Sequence, residues 1–132
     1  MLRTIIALVL IAHGIGHVMG FLEAWTGIPV GFSRSPWLFS DGVLMDSTVG
    51  RAFGVLALIA MIGWVGAGLG LLGDQAWWRP LALMSAVVSL VFILPWWNTL
   101  SDGFRIGGGA FDLAAMVVLA TGWPAPLDRA LL

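Results

Sequence analysis

Two histidines four residues apart, inside an uncharged stretch, are the residues of this sequence best suited to chemistry: Ile11-Ala-His13-Gly-Ile-Gly-His17-Val-Met-Gly20-Phe21. On a helix that spacing puts His13 and His17 on one face, one turn apart. Such a pair gives a metal two nitrogen ligands from one helix. Neutral imidazole, which both donates and accepts, equally suits a proton relay or a contact to a quinone or lipid headgroup. A metal would draw its third ligand from Asp112 or Glu23, and two His with one carboxylate suit Zn²⁺ or Fe²⁺ with an open position. His13, His17 and Asp112 are the metal candidates on that reading. Histidines four apart on one helix cannot be the two axial ligands of one haem, so a bis-His haem would need a second subunit. A structural alternative stands beside these: each imidazole hydrogen-bonds a serine, an aspartate or a backbone carbonyl across a helix interface. Ser85 and Ser89, also four apart, are its natural partners.

The elements that must hold these residues are apolar helices. Of 132 residues, 60% are hydrophobic and 10% charged, against roughly 45–50% and about 25% in soluble domains. There is too little polar surface to cover the chain in water, so its exterior is expected to face lipid. Four segments reach the roughly 20 apolar residues that a bilayer crossing needs, at about 2–25, 51–73, 78–97 and 104–123. Trp25, Trp77, Trp78, Trp96, Trp97 and Trp123 lie at their ends, where indoles favour the headgroup zone. The expected fold is all-α: one domain over 1–132, a four-helix transmembrane bundle running up-down-up-down, with a long loop between the first two helices. The first segment reads as a retained helix rather than a signal peptide, because no small-x-small cleavage site follows it.

Ionisable groups at this depth are costly, usually face a bundle interior and are functional candidates by default. Gly16 and Gly20 share the histidines' face, and GxxxG pairs recur at Gly50/Gly54 and Gly66/Gly70. That spacing lets backbones approach, within one bundle or along a homodimer seam. Gly107-Gly108-Gly109 is expected to loosen the start of the fourth helix, which would bring Asp112 near a helix N-terminus and its favourable dipole. Asp46-Ser47-Thr48 can cap the second helix. Arg51, at that helix start, either snorkels to the headgroups or pairs with Glu23 or Asp46. There are no cysteines, which removes disulfides and thiolate sites. All six cations are arginines in no cluster, so nothing provides a nucleic-acid footprint. They divide evenly between the two sides, and the long, weakly charged first loop leans both termini toward the cytoplasm.

The same residues resemble a group of small bacterial four-helix membrane proteins of unassigned function, whose first helix reads HG-x-x-H-x-x-G-F. Here that element is His13-Gly14, His17 and Gly20-Phe21. The group's R-x-x-G matches Arg51 and Gly54, its third-helix serine and terminal tryptophan match Ser89 and Trp97, and its usual asparagine is replaced by Asp112. A more distant similarity is to DoxX-like proteins. The resemblance implies a compact bundle in the bacterial plasma membrane and gathers His13, His17, Arg51 and Asp112 as a candidate site, with Ser89 and Trp97 as further ligand-binding positions. The expected function is a polar intramembrane pocket around the histidines that binds a metal, quinone or lipid-like ligand, with redox-linked chemistry one option. The alternatives are a non-catalytic subunit of a larger membrane assembly or a transporter component. Expected partners are the lipid bilayer and either a second copy or a larger membrane complex.

Overall fold

A computed structural model describes residues 1–32, 35–39 and 42–122. Regular structure among them is helical throughout: α1 (Leu2–Gly16), α2 (Val18–Thr26), α3 (Thr48–Leu72), α4 (Trp78–Ile93) and α5 (Asp102–Thr121). The first two make one apolar stretch, Leu2–Thr26, with a break at His17. The bundle therefore has four rods. Three of them, Leu2–Thr26, Thr48–Leu72 and Asp102–Thr121, are long and apolar enough to cross a membrane, while α4 is apolar but shorter, at 16 residues.

Local chemistry explains the boundaries. Ser47 caps α3 by accepting the Gly50 N–H at 3.2 Å, and Gly27 ends α2 in the left-handed region at φ 72°. At His17 the amide reaches back three residues to the Gly14 carbonyl, and the Gly20 amide does the same to His17, so the helix tightens there. The third rod ends at Ile93 rather than near 97, because Pro95 lacks the amide donor that would bond the Val91 carbonyl. Successive i→i−3 turns carry the chain on through Thr99. The glycine triplet does not loosen α5, which runs unbroken from Asp102 through Gly107–Gly109. Asp112 consequently sits in mid-helix, and a helix-start role does not apply to it. Trp123, Arg34 and Arg129 lie outside the described residues.

Helix α3 is the centre, packed on α1, α2 and α4, whereas α5 packs on α4 and meets α1 through side chains, His13 with Asp112 and Phe111. Glycines set these close approaches within the chain. Gly14 lies under Trp64, Gly20 against Ala57 and Phe92, Gly54 against Ala24, and Gly68 against Ala7 and Ile11. Gly16, expected to be part of a packing seam, instead faces open space. Two apolar clusters result, one around Ala7, Trp64, Leu71 and Ala82, the other around Ala24, Phe32, Ala57, Phe92 and Trp96. The end-of-helix tryptophans divide accordingly. Trp25 and Trp77 are exposed, as an interface belt requires, but Trp78 and Trp96 are buried core residues.

The first loop is tied to the bundle by specific bonds. The Glu23 carboxylate accepts the Val30 and Phe32 amides, and Asn98 accepts from the Trp37 amide while donating to the Ser35 carbonyl. Glu23 is thus a loop anchor, not a third ligand for the histidines. A Cβ on Gly14 would stand 2.8 Å from the Trp64 Cβ and 3.1 Å from the Met61 carbonyl oxygen. Gly14→Ala should therefore cost about 1–3 kcal/mol through overpacking, whereas Gly16→Ala should be neutral or slightly stabilising. Thermal unfolding in detergent separates the two; equal losses would contradict this packing.

Candidate functional site

A hydrogen-bonded chain of four side chains from three rods lies between the two apolar clusters. His13 and Asp112 meet at Nε2 and Oδ1, 2.9 Å apart. The other Asp112 oxygen, Oδ2, lies 2.5 Å from the Ser89 hydroxyl, which lies 2.5 Å from His17 Nε2. His17 Nδ1 is 3.1 Å from the backbone carbonyl of His13, which closes the ring. Asp112 and Ser89 have no accessible surface, and His17 is 6% exposed. The tight turn at His17 helps to aim its ring at α4, and Ser89 reaches α5 because α4 and α5 are packed neighbours.

With His13 neutral, counting hydrogens in this ring gives its charge. A carbonyl only accepts, so His17 Nδ1 must carry a proton. Two links remain between His17 and Asp112, and the Ser89 hydroxyl fills one of them. The other link needs a second proton, held either by Asp112 as a carboxylic acid or by His17 Nε2 as an imidazolium. Both arrangements have net charge zero, and each converts to the other by a shift of two protons through the Ser89 hydroxyl. In either one Asp112 Oδ1 accepts from His13 Nε2–H, which leaves His13 Nδ1 with a lone pair free to accept from another molecule.

Aromatic side chains hold the imidazoles in place. Trp64 stands edge-on to His13 at 5.2 Å, Phe111 lies tilted against it at 4.1 Å, and Phe92 neighbours His17 at 6.3 Å. None of these three was singled out by sequence reasoning for the site. Trp64 alone carried a signal, as the one tryptophan in mid-span. His13 and His17 also line a cavity of about 230 Å³ on the seam between the first and last rods. Its walls include Gly16, Gly20, Gly103 and Gly108 together with Phe32, Phe92 and Phe104.

Of the expected site residues, His13, His17, Ser89 and Asp112 come together and two stand apart. Arg51 lies at the α3 start with its guanidinium 5.8 Å from the centre of the Trp25 ring, and Trp97 packs on the second apolar cluster beside Gly109. Ser85 donates to the Leu81 carbonyl on its own helix rather than to a histidine. Ligating atoms of His13, His17 and Asp112 all lie within 4.8 Å of one another, a grouping that could hold a divalent ion. Ligand bonds to zinc are about 2.0–2.2 Å, however, and the Ser89 hydroxyl already occupies the space between His17 and Asp112. An ion could enter only if that hydroxyl rotated away.

No family model, curated protein or solved structure matches this chain.

Ring closure makes distinct demands on its members. Ser89→Ala would strand His17 Nε2 and Asp112 Oδ2, at a cost of about 1–2 kcal/mol. Asp112→Asn keeps an acceptor for His13 and gains a donor for Ser89, so it should stay within about 0.5 kcal/mol of wild type, in line with the bond strengths measured inside membranes. Paired thermal denaturation curves test this order; a reversal of the two variants would refute the proton count.

Proposed function

We propose that this chain is a four-pass protein of a bacterial plasma membrane, with both termini cytoplasmic, that binds a flat, hydroxyl- or carbonyl-bearing amphiphile of the quinone class. Its likeness to the HG-x-x-H-x-x-G-F group belongs to the same proposal. An antiparallel course for the first two rods is supported by the order of their contacts: Ala7 with Gly68, Gly14 with Trp64, Gly20 with Ala57 and Ala24 with Gly54. Completing a crossing at α4 takes the turns beyond Ile93 as well as the helix itself.

The observation that carries the ligand reading is that a cavity on a helix seam has the two ring histidines, His13 and His17, as its polar wall. Four glycines with no side chain and three phenylalanine rings make its other walls suited to a flat ring. Because the α5 and α1 backbones stay apart and side chains alone bridge them, the seam beside the cavity gives a route from surrounding lipid. His13 Nδ1 can accept a ligand hydroxyl, and a proton passed to it would leave an imidazolium beside the ligand's oxyanion, a pair with no net charge. Together these support a site that binds such a molecule and exchanges a proton with it. They name no electron donor or acceptor, and the proposal includes no electron transfer.

Titration of purified protein with a decyl-substituted benzoquinol, followed by tryptophan fluorescence, tests this directly. Saturable quenching is expected, with the hydroquinone binding more tightly than the quinone because only the former donates to His13. His13→Phe, which keeps an aromatic ring and removes the acceptor, should weaken binding at least tenfold, a loss of about 1.4 kcal/mol. Arg51→Gln, outside the ring, should change nothing. Unsaturable quenching, or equal quenching in His13→Phe, would defeat the reading. Stoichiometric zinc lost on His17→Ala would put a metal site in its place.

A further inference from the structure

A second cavity, of about 270 Å³, lies on the same seam. Leu2, Ile6 and Leu10 of α1 face Ala114, Ala115 and Val118 of α5 across it, and no polar side chain lines it. The two cavities divide the seam end to end. The ring cavity takes the first rod from Ala12 to Gly20 and α5 from Gly103 to Gly108. The apolar groove takes α1 from Leu2 to Leu10 and α5 from Phe111 to Leu119. His13, which lines the first, packs at 4.1 Å on Phe111, which lines the second.

We infer that this groove holds the hydrocarbon chain of the molecule whose head sits at the ring, so that the ligand is a single-chain, ring-headed amphiphile. This rests on the reading of the ring cavity as a head site. The direction of the chain follows from what closes the other end. There Val30, Phe32 and Leu100 wall the ring cavity, and the Glu23 carboxylate pins the first two of these by their amides. A substituent on a ring-bound head has its apolar path the other way, past Phe111 along Leu10 to Leu2. That path is about 12 Å at the helical rise of 1.5 Å per residue. Small side chains at Ala114 and Ala115 keep it open, whereas a groove closed by bulkier residues would force the chain sideways into lipid. A lone hydrocarbon chain is the occupant that matches both the absence of polar partners in the groove and its place end to end with the ring cavity, on the far side of the His13–Phe111 contact.

Photolabelling tests the inference with the full chain in lipid nanodiscs. One probe is the decyl-benzoquinol with a diazirine at the end of its chain; the control is a phosphatidylcholine carrying the same diazirine at the end of one acyl chain. The quinol probe should label the groove residues of α1 and α5 at least fivefold over the exposed α3 residues Ile59 and Ile62. The phosphatidylcholine should show no such preference. Ala114→Trp alters an exposed position and fills the groove, so it should remove the preference while fluorescence quenching by the head persists. Should that variant fold poorly, Val118→Phe fills the same groove and should give the same result. Even labelling of groove and α3 by the quinol probe, with quenching intact, would overturn the groove assignment and leave the head site standing. Absence of saturable quenching would instead remove the head site on which the assignment rests. Equal groove labelling by the phosphatidylcholine would show that ordinary lipid chains occupy the groove and would likewise overturn the inference.

Discussion

A carboxyl group with no accessible surface, surrounded by apolar helices, governs the rest of this molecule. An isolated carboxylate moved into such surroundings would cost far more than a small bundle can offset. Asp112 is therefore either neutral or matched by a positive partner, and its neighbours permit both. Ser89 supplies one hydroxyl and His17 a nitrogen beyond it, so one proton placed at either end satisfies every link. His13 bonds to the remaining oxygen. The ring is a way of holding an acid, two imidazoles and a hydroxyl at zero net charge across three rods.

That requirement shapes the packing around it. The two apolar clusters lie on either side of the ring, and the glycines that bring rods together sit where they admit its members. Gly14 lets α1 settle under Trp64, which fixes His13; Gly20 makes room for Phe92 next to His17. The seam between α1 and α5 is the price of this arrangement, because α5 is held by α4 and by the ring rather than by a packed α1 face. A protein built only for stability would fill that seam. Here it presents His13 and His17 at one point and apolar walls elsewhere.

Much of this was legible in the sequence, for identifiable reasons. Uninterrupted apolar runs marked the four rods, and the i, i+4 spacing placed both histidines on one interior face. Ser89 and Asp112 could be named as partners because few polar residues occur in those runs. Other features depend on three-dimensional context. Gly107–Gly109 looked like a helix breaker, but tertiary packing of α5 on α4 overrides a propensity of about 1 kcal/mol per glycine. Trp96 looked like a belt residue because of its place near a rod's end, yet the turns after Pro95 swing it into the second apolar cluster. Arg51, a candidate from the sequence, lies over the Trp25 ring and does not reach the histidines. Residue types alone also could not reveal that Ser89 lies between His17 and Asp112, and that position is what favours a proton-sharing ring over a metal centre.

Protonation of the ring is the most direct test. Infrared spectroscopy of the protein in nanodiscs can assign the C=O stretch of a protonated carboxyl to Asp112 by its loss in Asp112→Asn, while ¹⁵N NMR reports how many protons His17 carries. The expected result is one shared proton: a protonated Asp112 with neutral His17 bearing hydrogen on Nδ1, or an ionised Asp112 with doubly protonated His17. An ionised Asp112 together with a neutral His17 in the same sample would contradict it.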